Sequence, residues 1–376
     1  MSILSDRVSA LAPSIIREMS YRRRDTSINL SIGEPKLTPE DEVMERAWKA
    51  LRSGAQGYTH NAGLQSVREA IAGHYAFSDK DRFENVIVTV GSEEAVCLAM
   101  LSTLNPGDEV LFPEPDYPAY RGLAGLIGAQ AVPYPVDLST GLVPRADAIR
   151  SRVTDKSKLI ILNGPSNPFG MVDSEEELQA IAALAEEKGL VILSDEIYRE
   201  IYYDDQPPPS VMDYTDRAIF VSGLSKCCAM TGFRLGYLIA DEAFVKQATL
   251  AHQLLVTCAP RLSQLAALEI FKTPELLRKQ VSYYAQTREV MKEVQSELPE
   301  DVPLILGSGA FYAVLDVSSR TDDAFQYALE LLEAEDVVVV PGNAFGAGGD
   351  WFWRISYAAG PDTVREGLHR IARFLR

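Results

Sequence analysis

Basic residues are in short supply in this 376-residue chain: 36 Lys and Arg stand against 53 Asp and Glu, a formal charge of −17. An acidic surface of that size repels a phosphate backbone, which excludes nucleic acid as an expected partner. The only basic cluster, Arg22-Arg23-Arg24, reads as a solvated terminal segment and is assigned no function. Cysteine is equally sparse. Cys97, Cys227, Cys228 and Cys258 have neither zinc-ligand spacing nor the density of a secreted disulfide scaffold, so free thiols, a reducing compartment and no metal site are expected. The adjacent Cys227 and Cys228 are not expected to pair with each other. Long apolar runs are missing as well. Asp6, Arg7, Arg17 and Glu18 interrupt the N-terminal stretch and leave no signal-peptide core, and no later segment approaches a membrane span. A cytoplasmic location without membrane contact is the expectation. Low-complexity tracts and internal repeats are also lacking, and 47% hydrophobic with 24% charged residues excludes a disordered chain.

What is present is enough chain for two domains around a large buried interior. From about residue 85, short apolar runs alternate with helical segments: Val86–Val90, Glu109–Phe112, Lys158–Leu162, Leu190–Leu193, Ala218–Val221 and Leu235–Ala240. That alternation predicts an α/β domain with a largely parallel sheet. Ser174 followed by Glu177 is a capping-box pattern, and Leu178, Ile181, Ala182 and Leu184 then recur at helical spacing until Gly189. Beyond about residue 275 a charged helical stretch precedes strand candidates at Pro303–Val314 and Asp336–Val340, and an amphipathic helix follows Pro361. The expected division is a large domain over 46–275 and a smaller α+β domain made of 1–45 together with 276–376. No Gly-, Ser- or Pro-rich linker separates them, so a close interface with a cleft is expected, and ligands of open α/β sheets bind beyond the carboxyl ends of strands.

Lys226 follows such a strand in Ser222-Gly223-Leu224-Ser225-Lys226-Cys227-Cys228-Ala229-Met230-Thr231-Gly232-Phe233-Arg234-Leu235-Gly236. A lone lysine there is ordinarily a solvated charge. This one is followed, eight residues on, by Arg234 between small and apolar neighbours that include Gly232 and Gly236, where a guanidinium suits a phosphate with backbone close by. In these residues the chain resembles the aspartate aminotransferase superfamily, the pyridoxal-5′-phosphate (PLP) enzymes of fold type I. Its signature is a lysine preceded by small or hydroxylic residues and followed by Gly-x-Arg-x-Gly, and further blocks of the family recur in order from Gly33 to Arg354.

The resemblance implies a role for each matching residue. Lys226 is the Schiff-base lysine. Asp195, in Ser194-Asp195-Glu196-Ile197-Tyr198, is the anion beside the pyridine nitrogen, although an acidic residue after a strand is otherwise a turn or cap. Asn167 and Tyr198 are donors to the phenolic oxygen. Asn167 lies in Asn163-Gly164-Pro165-Ser166-Asn167-Pro168-Phe169-Gly170, where Phe169 replaces the family's usual threonine. Tyr117, in Pro115-Asp116-Tyr117-Pro118-Ala119-Tyr120, is the aromatic that stacks on the ring. The Gly91-Ser92-Glu93-Glu94-Ala95 turn opens a helix whose backbone N–H groups suit the phosphate, and Ser225 with Arg234 completes the cup. Many relatives carry a hydroxyl three residues before the lysine. Gly223 stands there, which leaves Ser222 to supply that contact or the contact absent. Tyr58, in Gly57-Tyr58-Thr59, matches the tyrosine that reaches the phosphate in the neighbouring subunit, implying a homodimer. Arg354, in Trp353-Arg354-Ile355-Ser356-Tyr357, grips the substrate α-carboxylate, and Gly33, in Ile32-Gly33-Glu34-Pro35, closes over it.

The expected reaction is transamination, moving the amino group of a small L-amino acid to a 2-oxo acid through Lys226. The alternative keeps the scaffold and changes the outcome to a lyase, decarboxylase, cyclase or oxidase, for which Phe169 and Cys227-Cys228 leave room. A regulatory module fused to a DNA-binding domain is disfavoured by the charge and by the lack of an upstream segment for a helix-turn-helix.

Overall fold

The apolar runs between residues 85 and 240 assemble into a single sheet. In the computed structural model, which describes residues 3–136, 141 and 143–376, the first eight strands are β1 (Ile28–Asn29), β2 (Val86–Thr89), β3 (Glu109–Glu114), β4 (Gln130–Pro135), β5 (Ser157–Asn163), β6 (Val191–Asp195), β7 (Ala218–Gly223) and β8 (Gly236–Ile239). Seven of them form one sheet in the order β2-β8-β7-β6-β5-β3-β4. All neighbours are parallel except β8, which runs against both β2 and β7. Strands β2, β7 and β8 are buried throughout, as a sheet covered by helices on both faces requires. Strand β4 was not anticipated. Its Pro133 and Pro135 argue against a central strand, but it lies at the sheet's edge, where a missing N–H is tolerated.

Local signals explain the helix boundaries. Ser174 Oγ accepts the Glu177 N–H at 3.2 Å at the start of the helix Glu175–Lys188, which ends at Gly189 with φ +68°. The capping box is half built, however. The Glu177 carboxylate turns away from Ser174 to accept the Ala146 N–H and to pair with Arg145 at 3.3 Å, trading a local bond for one between helices.

Strands β9 (Leu304–Leu306), β10 (Tyr312–Asp316), β11 (Val337–Val338), β12 (Val340–Pro341) and β13 (Phe352–Ser356) belong to the C-terminal part. Their four-stranded antiparallel sheet has the order β12-β13-β10-β9, while β11 pairs in parallel with the N-terminal β1. The expected strand Pro303–Val314 therefore divides at Gly307-Ser308-Gly309, and Asp336–Val340 divides between two partners. The final helix, Pro361–Leu375, begins on proline at its first position and packs on the helix Val281–Gln295. No helix among the described residues is long and apolar enough to cross a membrane.

The sheet directions decide where chemistry gathers. Strands β2, β3, β5, β6 and β7 all end at one edge, and β8, running the other way, begins there. The second sheet approaches that edge through its glycine turn. Gly309 N–H donates to Gly170 O at 2.9 Å, Ala310 N–H to Ile201 O at 2.8 Å, and Tyr203 N–H to Ser308 O at 3.1 Å. A Cβ on Gly307 would lie 2.0 Å from Gly170 O, a backbone atom with nowhere to go. Gly307→Ala is therefore expected to destabilise the protein by about 1–3 kcal/mol or more, read as a lower urea midpoint at unchanged m-value.

Candidate active site

A cavity of about 1400 Å³ opens at the shared edge, and every residue expected at the site lines it except Glu94 and Tyr58. Lys226 stands just beyond β7, its Nζ donating to Gly33 O at 2.7 Å. Loss of water around the amine, reinforced by the nearby Arg354 and Arg234 guanidinium groups, lowers its pKa from 10.5 to about 8, against an opposing pull from Glu34. A substantial share of the amine is thus uncharged at mildly alkaline pH.

Asp195 ends β6, and burial raises its pKa from 3.8 to about 6 although two donors favour the ionised form. Those donors are Tyr120 O–H, 2.9 Å from Oδ2, and Ile197 N–H, 3.3 Å from Oδ1. Among the described residues no cation pairs with it. Tyr120 escaped the sequence reading. It sits in the same block as Tyr117, but which tyrosine would reach a carboxylate from another strand depends on how the helix Ala119–Ile127 lies on the sheet. Behind Tyr117 is a second buried acid, Asp116, whose Oδ1 accepts Asn163 Nδ2 at 2.6 Å and Tyr117 N–H at 2.5 Å. Burial holds the Asp116 carboxyl well above the usual carboxylate range.

Arg354 projects from the wholly buried β13. It donates through Nη1 to Asn167 Oδ1 at 2.8 Å and through Nη2 to Ser31 O, and Nε has no partner. The Tyr312 and Phe345 rings flank it, 4.4 and 5.1 Å from the guanidinium carbon. Tyr312, a second residue missed in the sequence, shares a hydrogen bond with Tyr198 across 2.6 Å between phenol oxygens. A Cβ on Gly33 would lie 1.9 Å from Tyr312 Oη, so a side chain there would displace the hydroxyl bonded to Tyr198.

The turn after β2 carries Gly91 at φ +85° as the N-cap of the helix Ser92–Thr103. The helix's first backbone bond runs from Ala95 N–H to Gly91 O at 3.3 Å, so the N–H groups of Ser92, Glu93 and Glu94 precede it at the mouth. A Cβ on Gly91 would meet Arg234 Nη2 at 2.5 Å, and one on Gly236 would meet Ser92 N at 2.3 Å. Two glycines thus let a guanidinium and a strand close on a helix N-terminus, with Ser225 lining the same cavity. The cradle suits an anion, the buried carboxylate of Asp195, hydrogen-bonded but paired with no cation, suits a cationic ring, and Lys226 lines the same cavity, so the residues fit PLP.

Other residues of these segments lie outside the cavity. Ser222 is not the spare phosphate donor: its hydroxyl donates to Glu196 O at 3.0 Å and does not face the cavity. Nor does a side chain fit at position 223, where a Cβ would lie 2.9 Å from Leu235 O. Phe169 is buried against Trp351 and Phe352, with ring centroids 6.3 and 5.3 Å apart, and does not line the cavity. Cys227 and Cys228 are likewise buried outside it as free thiols, their sulfurs sharing a hydrogen bond at 3.7 Å and forming no disulfide, as expected. The Glu94 side chain does not line the cavity, its carboxylate accepting the Val90 N–H at 2.6 Å, and Tyr58 is 85% exposed, its backbone carbonyl held by Arg261 Nη2 at 3.1 Å.

Residues 25–371 match the family model described as aminotransferase class I and II. The chain is 36% identical to "Putative aminotransferase YugH" of Bacillus subtilis (strain 168), over 100% of this chain and 98% of that protein. It is 31% identical to an aspartate aminotransferase of Sulfurisphaera tokodaii, over 99% and 96%. A solved structure of a Thermus thermophilus aspartate aminotransferase single mutant superposes with a TM-score of 0.93 at 32% identity, covering all of both chains. Family match, relatives and fold agree across the length of the protein, which belongs to the class I and II aminotransferases and is a transaminase.

Proposed function

We propose that this aminotransferase carries PLP at Lys226 and passes the amino group of a small L-amino acid to a 2-oxo acid. The observation that carries the reading is one cavity containing a lysine shifted toward neutrality, a buried carboxylate without a cation, and a buried arginine with an unpartnered Nε. When bound, PLP draws electrons from the substrate Cα into its pyridine ring. The residues divide the remaining work. Asp195 holds the ring nitrogen's proton, supported by Tyr120. Asn167 and Tyr198 donate to the phenolic oxygen, and Tyr117 covers the ring. Ser92, Glu93 and Glu94 offer backbone N–H groups to the phosphate, joined by Ser225 and Arg234. Lys226, displaced by the substrate as a neutral amine, would take the proton from the substrate Cα and deliver it to the carbon on the far side of the substrate nitrogen, two bonds away. Arg354 meets the α-carboxylate with a planar fork held on Asn167, and the Gly33 segment closes over it.

The same reading covers the remaining expectations. A homodimer places the exposed Tyr58 at the partner's phosphate, the cytoplasm is the working compartment, and residues 46–275 form the large domain against 1–45 with 276–376. The named relatives are aminotransferases, and the packed positions of Phe169 and Cys227-Cys228 away from the cavity remove the ground on which a lyase or oxidase outcome stood.

Three experiments test it. Lys226→Ala should abolish turnover while PLP still binds, now without being fixed to the protein by borohydride; full activity in this variant sinks the proposal. Arg354→Leu should lower kcat/KM for amino acids by roughly 30- to 1,000-fold, the worth of a charge-assisted bidentate contact, with Arg354→Lys a poor substitute. An unaltered kcat/KM would remove the carboxylate role.

The third concerns pH. The folded-state pKa of Asp195, about 6, lies above its usual 3.8, so the folded protein binds that proton more tightly than the unfolded chain. The group's favourable contribution is present below about pH 4 and is lost as pH rises through 6, a difference on the order of 2–3 kcal/mol. Asp195→Asn should therefore raise the Tm of the cofactor-free protein at pH 7.5, lose that gain near pH 4, and remove turnover. A variant with unchanged Tm at both pH values would show that the buried carboxylate carries no penalty for PLP to relieve.

A further inference from the structure

One buried histidine has no part in the site as described. His252 lies on the helix Glu242–Val256, which packs along the helix Ser92–Thr103, and is wholly buried. Its Nδ1 is 2.7 Å from Glu94 Oε1, and its Nε2 has no hydrogen-bond partner. A carboxylate only accepts, so the ring carries a proton on Nδ1 and donates it. The other carboxylate oxygen, Oε2, accepts the Val90 N–H at 2.6 Å. Glu94, third residue of its helix, thus folds back over Val90-Gly91-Ser92 and clamps the residue before the N-cap. An unpartnered buried ring nitrogen is unfavourable, yet the fold keeps this histidine and directs its one bond to Glu94.

The first turn of that helix presents a conflict which the bond resolves. Glu93 and Glu94 set two carboxylates beside a helix N-terminus whose free N–H groups favour an anion. Glu93 is exposed, and water screens it. The Glu94 side chain is only 14% exposed, and in those surroundings a carboxylate free to swing toward the mouth would repel an anionic ligand. Held by His252, it stays off the cavity wall.

We propose that His252 and Glu94 are positioning residues for the anion-binding turn: the histidine pins the carboxylate onto Val90 N–H, which fixes Gly91-Ser92 and keeps the charge away from the helix mouth. The inference rests on reading that turn as the phosphate cradle of PLP.

The test is ligand selectivity in the full-length protein freed of cofactor. PLP and pyridoxal, its phosphate-free analogue, are titrated by fluorescence quenching against wild type, His252→Leu, and His252→Leu combined with Glu94→Gln. Pinning predicts that His252→Leu weakens PLP at least about tenfold and pyridoxal by less than about threefold. Adding Glu94→Gln should restore PLP to within about threefold of wild type, because an amide oxygen still accepts the Val90 N–H without bringing a charge. Equal loss for both ligands, no loss, or a double variant no better than the single one overturns the proposal. Should His252→Leu fail to fold, Glu94→Ala asks the same question from the other end of the bond. It frees Val90 N–H and should weaken PLP selectively, and an equal or absent loss again overturns the proposal. A wild type with no preference for PLP over pyridoxal overturns the cradle reading, and this inference with it.

Discussion

Strand β8 enters the sheet against the direction of both neighbours, and the site follows from that reversal. In register, Gly236 stands opposite Gly223 on one side and Thr89 on the other. The chain therefore leaves β7, turns through the segment bearing Ser225, Lys226 and Arg234, and comes back at the edge where the parallel strands finish. A parallel β8 would have sent the connection across the sheet to its far end, taking Arg234 away from the helix N-terminus. The glycines at 91, 223 and 236 are what permit the fit, since each position is already filled by backbone or by the Arg234 guanidinium.

The second constraint is electrostatic. The site gathers buried or half-buried charges of both signs, and their separation matters more than their number. Asp195 and Asp116 occupy the floor, each held by hydrogen bonds from uncharged partners, while Arg354 enters from β13 on the other sheet. Each is anchored by neutral groups and none is neutralised by the other; burial favours the neutral form of both carboxyls, Asp116 above all, so a cationic ligand beside Asp195 would recover an interaction that the protein alone does not supply. Burial does most to push the proton off Lys226, Arg354 and Arg234 add to it, and Glu34 and Asp195 hold it.

Much of this was legible in the sequence because it is local. The lysine-to-arginine segment, the Asp195 and Asn167 blocks and the apolar runs are short patterns, and Lys226, Asp195, Asn167, Tyr198, Arg234 and Arg354 lie together as those patterns imply. What escaped notice is non-local. Tyr120 reaches Asp195 across 75 residues of chain, Tyr312 reaches Tyr198 across 114, and His252 reaches Glu94 across 158. No periodicity encodes such meetings. Strand β4 was missed because its prolines contradict a strand's usual composition, which only its edge position excuses. The capping box at Ser174 lost its return bond because Glu177 found a better partner on another helix.

The joint between the glycine turn after β9 and the loops following β5 and β6 rests on main-chain hydrogen bonds among Gly170, Ile201, Tyr203, Ser308, Gly309 and Ala310, with the Tyr203 hydroxyl also donating to Ala310 O at 2.7 Å. A seam of that kind reads conformation rather than side-chain identity. Substitutions that leave the glycines and these main-chain bonds in place are expected to keep the spacing of the cleft. Substrate preference in such a scaffold is accordingly open to revision by substitutions elsewhere on the cavity wall, with the lysine's strand and the arginine's strand held at a fixed spacing by the joint.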